Sequence, residues 1–181
     1  MWTFKTKVLY VLYGIFARNL PESRHLKLAK KIRGFYAKRI VRSFGKNVNI
    51  EKNASFTPGL SIGNNSGVGI SCEINGDVTI GNDVMMGPEV VIYTSGHRFD
   101  RTDIPMCKQG FNSPKEVVIE DDVWLGRRVI IMPGVHIGEG SVIGAGAVVT
   151  KDIPEYSVAV GVPAKVIKSR LCKMDNSGGG I

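Results

Sequence analysis

The sequence predicts an all-β fold, a parallel β-helix of hexapeptide repeats carrying an N-terminal helical segment and a protruding loop. Three observations carry this. Apolar residues recur at every sixth position over two long stretches, Phe44 to Ile92 and Ile119 to Val149. Glycine follows the apolar anchor at 45, 63, 69, 81, 87, 126, 138 and 144. The residue four after the anchor is small or β-branched, as at Ala54, Ser66, Cys72, Val90, Val129 and Ala147. A helix repeats near 3.6 residues and a plain strand at 2, so neither produces a fixed phase of six. Hairpins of a sandwich vary in loop length and would lose the phase. A β-helix keeps it, because each hexad is one short strand and one turn stacked on the next. The anchor and the small residue then point inward, and glycine supplies the positive φ or the tight corner of the turn.

Residues 1–43 lack the period and form a basic helical segment. Two helices are expected there. In the second, Leu26, Leu28, Ala29, Ile32, Phe35, Tyr36, Ile40 and Val41 form an apolar stripe, Pro21 precedes the helix and Ser23 caps it. The formal net charge of +8 is unevenly divided. Residues 1–46 hold twelve Lys or Arg against the single acid Glu22, whereas residues 47–181 hold twelve against fifteen acids. The basicity therefore belongs to the N-terminal segment. Two readings of that segment stand side by side, contact with an anionic membrane surface and packing against the β-helix with the charges solvated. No nucleic-acid motif accompanies the charge, so nucleic acid is not expected as a partner.

The longest apolar run, VLYVLYGIFA at residues 8–17, has ten residues, too few to cross a membrane. No secretory cleavage pattern follows it. Cys72, Cys107 and Cys172 are odd in number and far apart, which fits a reducing cytoplasm. The β-helix is assigned to residues 44–160, and the tail to 161–181. In the tail GVPAKVIKSR closes the array and runs into a short helix, and MDNSGGGI is expected to be disordered.

The period stops at His97 and resumes at Val117, so residues 98–116 form a loop extruded from the scaffold. Loops on rigid scaffolds are favoured places for function. His25 lies in the basic helical stretch, and His136 occupies an outward phase just before Ile137. No metal cluster is indicated. No Walker A or dinucleotide fingerprint occurs, since the glycines are accounted for by the repeat.

The hexads IGNDVM, LGRRVI, IGEGSV and IGAGAV, followed by VVTKDIP and GVPAKVI, resemble the hexapeptide-repeat acyltransferases from Phe44 to Lys168. The block from GHRFDRTDIPM to VTKDIP is most similar to the branch that O-acetylates sugars, which includes capsular polysaccharide, galactoside and maltose enzymes. The resemblance implies a left-handed coil, acetyl-CoA as co-substrate, a homotrimer with the active site between subunits, and His97 as general base. Imidazole suits that task, since a sugar hydroxyl is a poor nucleophile at neutral pH and a group with a pKa near 6.5 can take its proton. Asp100, Asp103 or a backbone carbonyl could orient the ring. The turn at Gly126 and the Arg127 N–H are expected at the developing oxyanion. Ala145, Thr150 and Lys151 match positions that contact CoA in the family, and Lys165 and Lys168 match basic positions near its phosphates. Arg98, Asp100 and Trp124 are candidates for substrate contact; Phe99, Arg101 and Phe111 are candidates for substrate or interface contact.

One departure separates this chain from the galactoside enzymes, which carry Asn in the middle coils to hold the acceptor. Here Gly67 and Gly69 stand at those places, so the acceptor site must be built differently. The expected function is O-acetyl transfer to a sugar hydroxyl, free or lipid-linked, in surface-polysaccharide assembly, at the cytoplasmic membrane face. The alternatives are acetylation of serine or another small molecule, a zinc hydratase needing three convergent histidines, and a non-enzymatic membrane scaffold.

Overall fold

The structure is a computed structural model, and it describes residues 2–171. Two helices, α1 (Phe4–Phe16) and α2 (Lys27–Ile40), precede a stack of short parallel strands arranged on three faces. The first face runs Ser43–Phe44, Leu60–Ile62, Val78–Ile80, Val117–Ile119 and His136–Ile137. The second begins with the pair Asn49–Ile50 and Gly67–Val68, and continues through Met85–Met86, Trp124–Leu125, Val142–Ile143 and Ser157–Val160. The third holds Ser55–Phe56, Glu73–Ile74, Val91–Ile92, Ile130–Ile131 and Val148–Val149. Phe44 pairs with Ile62, and Ile62 with Ile80, so one coil takes eighteen residues, or three hexads. This is the β-helix that the period of six predicts.

The anchors fill the interior. Ile50, Ile74, Ile92, Ile119, Leu125 and Ile131 are fully buried, each worth ~1.5–3 kcal/mol relative to exposure. Phe44 and Met86 are exceptions and are only partly buried. The small positions four residues on are buried too, and where they are polar they are bonded. The Ser66 hydroxyl donates to the Gly81 carbonyl at 2.7 Å and accepts from the Val84 N–H at 3.0 Å.

The glycine after the anchor does not supply a positive φ. That conformation falls two residues later, on Asn47, Asn53, Asn65, Asp83, Asp122 and Arg128 among others. Asn and Asp tolerate it best among side-chain-bearing residues. The anchor glycine is required instead by closeness of the coils. A Cβ on Gly63 would stand 2.5 Å from the Gly81 carbonyl oxygen, and one on Gly126 2.6 Å from the Ala145 nitrogen.

Both helices cover the open N-terminal end of the stack, which a solenoid must cap to keep its core dry. The Tyr13 hydroxyl donates to the Ala54 carbonyl at 2.8 Å, and its ring lies 5.1 Å from that of Phe56. In α2 the buried line is Ala29, Arg33, Ala37 and Ile40. This corrects the expected stripe, from which Leu28 and Phe35 face outward at 57% and 52% exposure. Small residues let the helix approach closely, and Arg33 is accommodated because its donors are satisfied. It bonds the carbonyls of Ile50, Leu20 and Pro21, the Ser23 hydroxyl and Glu51. Ser23 therefore does not cap α2. Leu26 is the N-cap and makes no side-chain cap bond.

At the other end the chain reverses. Lys165–Ser169 forms a strand antiparallel to Ser157–Val160, where the sequence suggested a short helix. The expected disorder of MDNSGGGI concerns residues outside those described.

Candidate active site at the edge bearing His97

The three edges of the prism differ in chemistry. At the edge between the first and second faces, side chains cap the backbone. Asn64 accepts from the Lys46 N–H, Asn82 from Asn64 N–H and Asp121 from Asn82 N–H, at 2.7–2.8 Å. Asp121 is held below the usual carboxylate range by those bonds from Asn82. At the edge between the second and third faces no such ladder exists. The N–H groups of Arg127 and Ala145, one coil apart, donate to no acceptor among the described residues. Unpaired amides in register, on residues at the surface, are ready donors for a ligand carbonyl or a developing oxyanion.

The third edge, between the third and first faces, emits the loop. Ile80 pairs with Ile119 across thirty-nine residues, twenty-one more than a coil requires. The pairs across the loop all share this offset, and those from Val118–His136 to Ile131–Val149 return to eighteen, so the extra chain is accommodated outside the stack. Only the last coil, with Val142 on Val158, is two residues shorter. His97 stands at the root of the loop, bridged antiparallel to Phe111. The Arg98 N–H bonds the Gly110 carbonyl and the Asn112 N–H bonds the Gly96 carbonyl, at 3.0 and 2.8 Å. The His97 ring lies on the Phe111 ring, with centroids 4.2 Å apart. It opens on two adjoining cavities of about 410 and 440 Å³. Met132 and Pro133 line both, and Asn75, Tyr93 and Thr94 line the larger.

Farther out, the Gln109 amide ties the loop together by bonding the Arg101 N–H and the carbonyls of Arg101 and Ile104. Neither aspartate considered for orienting the imidazole does so. Asp100 accepts from Arg98 at 3.0–3.2 Å and Asp103 pairs with Arg101. These hydrogen bonds hold both carboxyls below their usual range. Arg98 and Asp100 are thus a pair on the exposed loop, with their polar groups turned to each other.

The remaining candidates divide between places. Thr150 and Lys151 lie on the His97 edge, stacked one coil beyond Met132 and Pro133. Gly126, Arg127 and Ala145 lie on the edge of unpaired amides. The Arg127 and Arg128 side chains there are drawn to Glu89, whose carboxyl they hold low. Trp124, half exposed, sits on the second face beside Met85, and Lys165 and Lys168 are exposed on the last strand of the same sheet. One chain does not bring His97 and Arg127 together. A whole face separates their edges, roughly 15–20 Å of extended chain. His136 belongs elsewhere, on the first face, where its Nε2 meets Glu120 at 2.8 Å. Among the described residues no group of three His, Cys, Asp or Glu side chains converges.

Met132, Pro133 and Asn75 are cavity residues the sequence reading missed. The signal was present. Stepping by eighteen, with the twenty-one inserted residues removed, aligns Thr57, Asn75, Tyr93, Met132 and Thr150 on one edge.

The comparisons with known proteins agree with this architecture. The family profile described as Bacterial transferase hexapeptide (six repeats) matches residues 116–151. A solved maltose O-acetyltransferase from Clostridium difficile 630 is 34% identical with a TM-score of 0.76, over 91% of this chain and 85% of that one. A galactoside acetyltransferase solved in complex with coenzyme A is 32% identical with a TM-score of 0.79, over 92% of this chain and 81% of that one. The chain belongs to the hexapeptide-repeat acetyltransferase family. Curated relatives align over shorter stretches. The galactoside O-acetyltransferase of Lactococcus lactis is 50% identical over 90 residues, which is 50% of this chain and 42% of that protein. The chain thus spans less than half the length of that relative.

Proposed function

We propose that this protein moves an acetyl group from acetyl-CoA to a sugar hydroxyl in surface-polysaccharide assembly, as a homotrimer. The observation that carries the reading is His97, held at the root of the extruded loop with its ring facing two cavities, on a scaffold shared with sugar O-acetyltransferases. His97 takes the hydroxyl proton as the sugar oxygen attacks the thioester carbonyl. The C–S bond breaks, and the proton passes from His97 to the departing thiol, so no acyl-enzyme is formed. The Arg127 N–H is suited to the carbonyl oxygen as it gains charge, and the unpaired Ala145 N–H to an amide carbonyl of the pantetheine arm. Lys151, Lys165 and Lys168 are exposed and offer positive charge to CoA phosphates.

His97 and these amides occupy different edges, which supports a site completed by a second copy. Among the described residues no helix is long and apolar enough to cross a membrane. Residues 2–43, basic and exposed on their outer side, fit peripheral placement at the anionic cytoplasmic face of a membrane.

The test is an acetyl-transfer screen over free, nucleotide-linked and lipid-linked sugars, with serine as a competing acceptor. His97→Ala should lower turnover ~10²–10⁴-fold while CoA binding and assembly stay intact. Near-normal activity in that variant would overturn the mechanism, and transfer to serine alone would overturn the acceptor class.

A further inference from the structure

Helix α1 has two apolar faces and the fold uses one. Leu9, Tyr10, Tyr13 and Ala17 turn inward onto the first coil. At 100° per residue the opposite side carries Phe4, Val8, Val11 and Ile15 within an arc of about 60°. These side chains are bare, with Phe4 84%, Val11 60% and Ile15 65% exposed. Lys7 lies at one margin of the arc and Lys5 at the other, both exposed. A helix that is apolar all round normally belongs in a core, so the outer face lacks an occupant.

We propose that the outer face of α1 lies in the headgroup region of an anionic lipid surface, with the Phe4–Ile15 stripe inserted and Lys5 and Lys7 against lipid phosphates. This deepens the peripheral placement proposed above and rests on it. Charge complementarity selects the occupant. No acid precedes Glu22, and exposed Lys27 and Lys31 on α2 add to the same basic segment. A symmetric contact with a second copy would bring two basic segments together and offer Lys5 and Lys7 no carboxylate of α1 as a partner. An anionic bilayer meets both requirements, since it takes the apolar stripe and neutralises its margins.

The placement also has a use. Trp2, at the start of α1, lines a cavity of about 280 Å³ with Thr57, Asn75, Asp77, Thr94 and Ser95. Asn75, Thr94 and Ser95 also line a cavity of His97. The cavity beside the docked helix and the cavity at the imidazole therefore adjoin across Asn75, Thr94 and Ser95, as an acceptor sugar tethered to a lipid would need.

Co-sedimentation of the full chain with vesicles tests this, using phosphatidylcholine alone against equal parts phosphatidylcholine and phosphatidylglycerol. Binding should require phosphatidylglycerol and weaken with salt. Lys5→Gln and Lys7→Gln should each weaken it about fivefold. Val8→Asp with Val11→Asp should weaken it tenfold or more, with circular dichroism and acetyl transfer to a soluble sugar unchanged. Phe4→Ser, at a still more exposed position, should act in the same direction. In a Trp2→Phe, Trp124→Phe background, the emission of a Val11→Trp variant should shift to the blue on binding. If the wild-type chain binds and the Val8/Val11 variant binds equally, the face is wrong while peripheral placement stands. If the wild-type chain binds neither vesicle, both fall, and transfer to a soluble sugar still reports separately on the catalytic reading. A larger assembly that the Val8/Val11 substitutions dissolve would make a second copy the occupant and overturn the proposal.

Discussion

Arg33 shows how much one side chain can join. It is fully buried, yet its guanidinium reaches three backbone carbonyls, a hydroxyl and Glu51, and so ties α2 both to the turn before it and to the first coil. Burial pulls its pKa down and Glu51 pushes it back up. Burial pushes the Glu51 carboxyl up, but bonds from Asn49, Ser23 and the Lys52 N–H outweigh it and leave the group below its usual range. Arg33→Met should cost ~3 kcal/mol or more in urea unfolding, because the abandoned acceptors stay buried. Arg33→Lys should recover only part, since an ammonium has three donors where the guanidinium has five. A depressed carboxylate binds fewer protons folded than unfolded. Its stabilisation is therefore present above about pH 4.3 and lost as pH falls through the folded value. Glu51→Gln should flatten the acid limb of the stability–pH curve in that window.

At the scale of the element, the coil sets the rules. Its anchors and small residues were legible because their burial repeats with the period. The role of the anchor glycine was only half legible. A tight corner and a positive φ are equally compatible with glycine in a sequence, and only stacking shows that the next coil's backbone occupies the space of a Cβ. Gly63→Ala should cost ~1–3 kcal/mol through that contact, lowering the melting temperature about 2–4 °C per kcal/mol. Gly67→Ala is the control, since the nearest atom to its Cβ would be 3.7 Å away. The helix stripe was misjudged for a related reason. Hydropathy favours Leu28 and Phe35 for burial, whereas close packing on the coil selected Ala29 and Ala37 and admitted Arg33 through hydrogen bonds.

For the whole molecule, the separation of the edges has a direct consequence. If catalysis joins the His97 edge of one chain to the Arg127 and Ala145 edge of another, two inactive variants should complement. A His97→Ala chain mixed with an Ala145→Trp chain, after dissociation and reassembly, should regain a measurable fraction of activity. Neither variant alone should do so. Absence of recovery, with mixed assemblies demonstrated by mass, would place the site within one chain.

The sequence by itself determined the β-helix, the presence of a helical segment before it, and the interruption at which His97 stands. Each of these is a statement about period, phase or its interruption, which are properties of the chain's order. The tertiary structure decided what order cannot express. Stacking at a coil of eighteen residues gathered Asn75, Met132 and Pro133 around His97 and set Arg127 and Ala145 on another edge. The loop's own arginines took Asp100 and Asp103 away from the imidazole. One face of α1 was consumed in capping the coil and the other was left bare, because a helix can press only one side against a stack.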